Sequence, residues 1–450
     1  MKFIRFLSRL IVGVVFIFSG FVKAVDPLGS AYKFADYFTA FKLGFLEFLT
    51  LPMGIFLSAF ELVLGIVLIL GYRRRTMFVI LMWFMSFFTL LTLILALFNP
   101  VSDCGCFGDA LILTNWQTFF KNLVLMVFVL YLYVSRNREH TAGSAIREWF
   151  VVSSFFAISS IFSFWNYRHL PLIDFRPYDV GTLISEEMEI PEGMPVDEYM
   201  TTLIYRNRES GKETTFDMED YPKDTLQWEF VTSESKLLKR GYEPPIHDFA
   251  IMDEFGYDLV DEILSDKGYS LIMVSYDLKG ADQDALINAR EWSQLEIFAS
   301  EFSFYAVTST TSAEVESIST QLDLGYQFMA GDEIMLKTIV RSNPGFMLVK
   351  NGAILGKWAF RDFPALEQLD PNWSELIGNA SAPMDEETQL LMDAGAYDDF
   401  SFDVIEFERF IPELVWKEEA RRRETGVELA FILSIVAVVF LSGYISPLRL

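Results

Sequence analysis

Of the 450 residues only two are cysteines, and they stand two apart in Asp103-Cys104-Gly105-Cys106-Phe107-Gly108-Asp109. A thiol pair at this spacing can exchange electrons as a small disulfide ring, pin a loop as a static disulfide, or join a metal site. Gly105 supplies the backbone freedom that a short Cys-x-Cys ring needs. The short ring should strain the bond, and strained, exposed disulfides are the labile, exchanging kind. The two flanking aspartates argue the other way, because nearby negative charge raises thiol pKa values and slows attack. A metal site would draw on Asp103 and Asp109 beside the thiols. Structural zinc, however, wants four soft ligands at wider spacing, and His140, His169 and His247 are all distant in sequence.

A second candidate is Glu61, a carboxylate in the middle of an apolar run. An ionised side chain there is costly, faces the interior of a helix bundle and marks a functional position. Lys23, at the end of the first apolar run, is its natural partner, or else snorkels to the interface. A structural contact and a proton relay are equally open readings of the pair.

These residues sit on a chain made of two physically different halves. Residues 1–166 carry a net charge of +5 and residues 167–450 a net charge of −30. Just over half of all residues are hydrophobic, with 44 Phe, 26 Gly and 16 Pro, and the mean hydropathy is positive. That composition excludes a disordered chain, a collagen-like fibre and a disulfide-stapled secreted domain. The acidic surface excludes a nucleic-acid binder. A membrane protein carrying a soluble domain remains.

Crossing about 30 Å of hydrocarbon takes roughly 20 apolar residues. Spans are expected near 4–22, 51–70, 77–98, 118–134, 149–165 and 427–445. Lys2, Arg5 and Arg9, then Arg73, Arg74 and Arg75, then Arg136, Arg138 and Arg147 all fall on one side if the N-terminus is cytoplasmic. Segments 23–50, 99–117 and 166–425 then face the other side. Arg421, Arg422 and Arg423 go against this bias, but they follow a long translocated domain, where the bias is weak. The first run carries no small-residue cleavage site and reads as a retained helix, not a signal peptide.

In the acidic half, residues 167–245 read as a β-rich connector, with strand-like runs at Thr201–Tyr205 and Thr214–Met218 around a turn at 208–212. Residues 246–369 alternate strands and helices. The strand Ser270–Tyr276 is continuously apolar, as in a buried parallel sheet. A helix over about 282–300, the strand Phe304–Val307 and a helix capped by Thr311 or Ser312 follow. Asn351-Gly352 then forms a two-residue hairpin turn. Residues 370–425 form an acidic mixed segment, in which the alternating aromatics and acids of Phe400–Glu413 read as a solvated face.

Two resemblances follow from quoted motifs. The first 135 residues resemble the DoxX/MauE-type membrane proteins. The matching features are Phe18-Ser19-Gly20, Lys23, Asp26-Pro27, Glu61-Leu62-Val63 with Gly65, and above all the Asp103–Gly108 cysteine loop. The resemblance implies a four-helix bundle engaged in envelope thiol or sulfur redox chemistry, with a distant likeness to quinone-coupled disulfide-forming bundles. Residues 246–369 resemble a thioredoxin-like domain, with Pro344 at the family's cis-proline position. Where thioredoxins carry Cys-x-x-Cys, this chain has Asp277-Leu278-Lys279-Gly280. The domain holds no thiol, so it either borrows Cys104 and Cys106 or is a binding module.

The expected architecture is a polytopic α-helical membrane protein, with a DoxX/MauE-like four-helix bundle over 1–135 and a loop and fifth span over 136–166. The β-rich connector, an exported α/β thioredoxin-like domain, the acidic segment and a last span at 426–446 complete it. The expected function is thiol–disulfide redox work in the bacterial inner membrane, with the large domain in the periplasm. Cys104 and Cys106 exchange with exported client proteins, Glu61 and Lys23 assist, and a quinone is the candidate electron acceptor. The alternative is a non-enzymatic scaffold or accessory subunit that binds other envelope proteins.

Overall fold

In the computed structural model the described residues are 2–138, 144–218, 220–296, 299–369 and 407–416. The sixth expected span, the arginines at 421–423, His140 and the segment 370–406 lie outside them.

Among the described residues five helices are long and apolar enough to cross a membrane. They are α1 (Lys2–Val25), α3 (Thr50–Leu70), α4 (Arg74–Phe98), α5 (Asn115–Ser135) and α6 (Ala145–Arg168). Between the first two lies α2 (Pro27–Ala40), absent from the sequence reading. It starts at Asp26, whose side chain accepts from the Gly29 N–H, with Pro27 in the first turn, where its missing N–H costs nothing. Its mixed composition offers no apolar run of membrane length.

Close packing of α1 against α3 rests on glycine. A Cβ on Gly20 would lie 2.3 Å from the Leu62 nitrogen, and one on Gly65 would lie 2.7 Å from the Gly13 carbonyl. Small residues let membrane helices approach to this distance, where dispersion contacts replace the missing hydrophobic drive. α4 packs on α5, and Val12, Val67, Leu81, Val129 and Leu132 fill the shared interior. The fifth span does not stand apart as a tether: α6 packs on α3 and buries Val151 and Phe155 in the same core. At one end the basic turns meet, where Arg75 donates to the Asn137 carbonyl and Arg73 lies over Trp149. The cysteine loop lies at the other end.

Residues 182–249 form a unit of their own. It holds the short helix α7 (Ile184–Met188) and a largely exposed antiparallel sheet of β1 (Glu198–Asn207), β2 (Glu213–Asp217) and β3 (Trp228–Lys239), in the order β2-β1-β3. Two of these strands were expected; β3 was not. Tyr205, Phe216, Trp228 and Phe230 cluster on one face.

The α/β domain begins with β4 (Ile251–Met252), α8 (Val260–Ser265), β5 (Tyr269–Ser275), α9 (Gln283–Leu295), β6 (Phe302–Thr308) and α10 (Ser312–Leu322). It continues with β7 (Phe328–Gly331), α11 (Glu333–Ile339), β8 (Gly345–Lys350), β9 (Ala353–Ala359) and α12 (Leu366–Leu369). The sheet order is β4-β7-β6-β5-β8-β9, with β5, β6 and β7 parallel and β8 antiparallel to β5. Every residue of β5 is buried, as its unbroken apolar run requires of a central strand covered on both faces. Asn351 (φ 48°) and Gly352 (φ 75°) turn β8 into β9, and both positive angles are those of a two-residue hairpin. The Asn343–Pro344 bond is cis. After α6 the chain is anchored to β9, where Lys357 donates to Asp174 and to the Tyr178 carbonyl.

Residues 407–416 correct one expectation. Phe407 and Phe410 are buried, and Phe407 packs against Phe302 and Tyr269. The alternation of aromatics and acids there marks a strap with one face in the core and Glu408 outside, where it accepts from Lys350.

Candidate functional site

The cysteine loop joins α4 to α5 and is held by its own backbone, by α2 and by α1. Gly105 (φ +64°) and Gly108 (φ +51°) take left-handed conformations that only glycine adopts cheaply. The Asp103 carboxylate accepts from the Gly105 N–H at 2.8 Å and from Lys33 of α2 at 2.6 Å. Tyr37, one helical turn after Lys33, donates to the Cys104 carbonyl at 2.8 Å. From α1, Ser19 Oγ lies 2.7 Å from the Cys106 carbonyl.

Below the loop sits the charge pair. Lys23 Nζ donates to Glu61 Oε2 at 2.7 Å and to Ser19 Oγ at 3.0 Å, and Ser19 Oγ is itself 2.7 Å from Glu61 Oε2. Glu61 is 5 % exposed and Lys23 7 %. The structure therefore brings all four expected site residues together: Ser19 connects the Glu61–Lys23 pair to the backbone of Cys106. A buried pair of this kind is tolerated only because each charge finds its partner and further hydrogen bonds.

Both cysteines are thiols, with their sulfurs 3.2 Å apart. They are not equivalent. The hydrogen bond from Cys104, together with the ammonium groups of Lys121 and Lys23, brings Cys106 down to about 6, against burial and the Glu61 charge. The same hydrogen bond and its own burial push Cys104 well above the ordinary thiol range. Cys104 is thus the weaker acid of the pair and Cys106 the stronger.

Two sequence expectations are overturned here. The pair is not exposed: Cys104 is buried and Cys106 half-buried. Nor do the flanking aspartates raise Cys106. Asp103 is turned to Lys33 and Asp109 to Arg341, which donates to it at 2.8 Å, so lysines face Cys106 instead. The carboxylates that a metal would have needed are thereby engaged by cations. His169 lies against Asp362, and His247 is an exposed residue near Glu243.

Arg341 is also the joint between bundle and α/β domain. From the loop before Pro344 it donates to Asp26 at 2.9 Å as well as to Asp109, and its guanidinium lies 5.2 Å from the Tyr32 ring. Tyr276, directly after β5, meets Tyr32 hydroxyl to hydroxyl at 3.0 Å. Burial raises the Asp109 carboxyl despite Arg341. Burial and the neighbouring Tyr276 raise Tyr32. So α2 presents Lys33 and Tyr37 to the cysteine loop, and Asp26 and Tyr32 to the α/β domain.

A cavity of about 40 Å³ opens beneath the loop, lined by Ser19, Glu61, Cys106, Phe107, Lys121 and Asn122 among others. That is room for a few waters, and well short of the roughly 150 Å³ that admits a benzene ring.

Lys33, Tyr37, Tyr32, Tyr276, Arg341 and Lys121 were not singled out from sequence. For Lys121 a signal existed: a lone charge inside an apolar span, the signal that picked out Glu61. The others act through contacts between distant segments.

Among known proteins, residues 1–135 match the family described as methylamine utilisation protein MauE. Residues 199–240 match a domain of unknown function, DUF8463. No curated protein matches the chain. The α/β part is similar to a solution structure described as a protein disulfide isomerase from Bacteroides thetaiotaomicron. That likeness has 13 % identity and a TM-score of 0.22, and covers 28 % of this chain and 85 % of the other. Likeness of that size carries no weight on fold or activity. With five membrane-length apolar helices and the MauE match, this is a multi-pass membrane protein that carries an α/β domain.

Proposed function

We propose that the chain is a thiol–disulfide redox protein of the bacterial inner membrane. Cys104 and Cys106 are its exchanging pair, and the α/β domain faces the periplasm and presents exported client proteins. The observation that carries this reading is the asymmetry of the pair: two thiols 3.2 Å apart, with Cys106 held near 6 and Cys104 held protonated. A static disulfide has no use for a stabilised thiolate.

In the exchange, the Cys106 thiolate attacks one sulfur of a client disulfide. A mixed disulfide forms and the client's other sulfur leaves as thiolate. Cys104 then gives up its proton and attacks the Cys106 sulfur, which releases the second client thiolate and closes the Cys104–Cys106 disulfide. Two electrons pass to the client and two thiols become one disulfide. The reverse sequence oxidises a client dithiol, and the relative potentials set the direction. Glu61 lines the cavity at Cys106, and with Lys23 it is the candidate station for the proton that Cys104 releases.

The strand order β7-β6-β5-β8-β9, with cis-Pro344 ahead of β8, supports a thioredoxin-like reading of the α/β domain. Its thiol-free turn after β5 and its pre-β8 loop are the parts turned to the bundle, through Tyr276 and Arg341. The gathering of basic turns at the opposite end of the bundle supports a cytoplasmic position for that end.

The test uses the purified full-length chain, reduced, with oxidised glutathione as the disulfide substrate. Wild type should consume it and accumulate the internal disulfide. Cys104→Ser should stop at a mixed disulfide on Cys106, and the double Cys→Ser variant should do nothing. Wild-type turnover in the double variant would contradict the proposal.

A further inference from the structure

Lys121 is a cation without an assigned task. It lies six residues into α5, about 9 Å along the helix. Among the described residues it has no carboxylate in ion-pair range, although a charge at such a depth needs a partner. Its ammonium sits 4.1 Å from the centre of the Phe107 ring, over the residue next to Cys106, and it lines the same cavity as Cys106. Snorkelling alone would send the ammonium to open interface and not to the cavity wall.

Among the described charged groups around that cavity, Lys121 is the one without an ion-pair partner. From α1 comes Lys23, from α3 Glu61, and these two are already paired. From α2 come Lys33, spent on Asp103, and Asp26, next to its first turn, which shares Arg341 with Asp109. Cys104 is the neutral donor. Lys121 is left over, and on the same cavity wall the group outside an ion pair that can carry a negative charge is Cys106.

We infer that Lys121 is the counter-cation of the Cys106 thiolate, a positioning residue that holds the reactive sulfur ionised and oriented on the bundle side of the loop. This rests on the reading of Cys106 as the attacking thiol. The direction of the Cys106 shift, which Lys121 assists, agrees with the geometry.

The experiment follows iodoacetamide alkylation of Cys106 against pH in the full-length chain in detergent. It uses a Cys104→Ser background, in which a hydroxyl donor is kept beside the sulfur. Lys121→Met should raise the midpoint by about one pH unit, with an approximately tenfold loss of rate on the acid side, and Lys121→Arg should restore it. An unshifted midpoint in Lys121→Met, with the thermal transition of the parent retained, overturns the inference. Should Lys121→Met fail to fold, Lys121→Arg and Lys121→Gln carry the comparison: equal midpoints in both overturn it. Failure of the wider reading looks different, since Cys106 would then titrate near 8.5 with Lys121 in place.

Discussion

Arg341 of the α/β domain donates to Asp109 at 2.8 Å, across 232 residues of sequence, and Asp109 lies three residues beyond Cys106. The same guanidinium holds Asp26 at the start of α2. One side chain thus closes the α/β domain onto the segment that carries the thiols and onto the helix that braces it. Removing it leaves two half-buried carboxylates without their cation. Losing the charged hydrogen bonds of the buried guanidinium costs about 1–3 kcal/mol once solvent screening at the carboxylates is counted. Arg341→Gln should therefore lower the thermal transition by several degrees and expose the junction to limited proteolysis. Asp109→Asn, which leaves Asp26 in place, should do much less. Equal stability of Arg341→Gln and wild type would show that the contact is incidental.

The asymmetry of the thiols gives a pH prediction. Cys106 is an acid whose proton affinity is lowered to about 6. Its thiolate therefore dominates above that pH and is lost below it. Alkylation of the reduced wild-type chain should be half-maximal near pH 6 and fall about tenfold per unit beneath, with the label on Cys106. Cys104, raised well above the ordinary range, should stay unlabelled through pH 8. Labelling of Cys104 first would reverse the assigned roles.

The Glu61–Lys23 pair predicts non-additivity. Glu61→Leu or Lys23→Met alone strands a charge in the bundle and should cost about 3–5 kcal/mol. The double variant should cost clearly less than the two singles combined, because it strands neither. Chemical unfolding of the three variants in detergent measures this. Strict additivity would mean that the pair does not interact in the folded protein.

The α1–α3 seam predicts a steric cliff. Gly20→Ala places a methyl 2.3 Å from the backbone nitrogen of Leu62, which cannot move aside as a side chain can. The variant should lose most folded, monodisperse protein. Gly44→Ala meets nothing within 4 Å and should purify like wild type.

Much of the membrane half was legible because its signal is local. A run of about 20 apolar residues marks a span, and a lone carboxylate within one marks an interior contact. On those grounds Glu61 points to an interior partner and Lys23 is one of two readings, which the structure decides for pairing; β5 and the Asn351-Gly352 hairpin are legible by pattern. What failed was the sign of the electrostatics at the thiols. Asp103 and Asp109 flank the cysteines in sequence, but their partners Lys33 and Arg341 are 70 and 232 residues away. Local charge counting therefore assigned to the thiols a repulsion that tertiary ion pairs remove. Phe407 and Phe410 were read as a surface for the same reason, since the core they enter is built from β5 and β6.

If Cys104 and Cys106 are a working redox pair, their thiol state must follow the redox balance of living cells. Cells are pulsed with dithiothreitol, washed and acid-quenched at intervals, and free thiols are labelled with a mass-tagged maleimide. The pair should shift from two tags to none as the cells recover, and Cys104→Ser should carry a single tag or a mixed disulfide. A pair that keeps one state throughout the pulse and recovery would contradict a redox role and leave the loop a structural element.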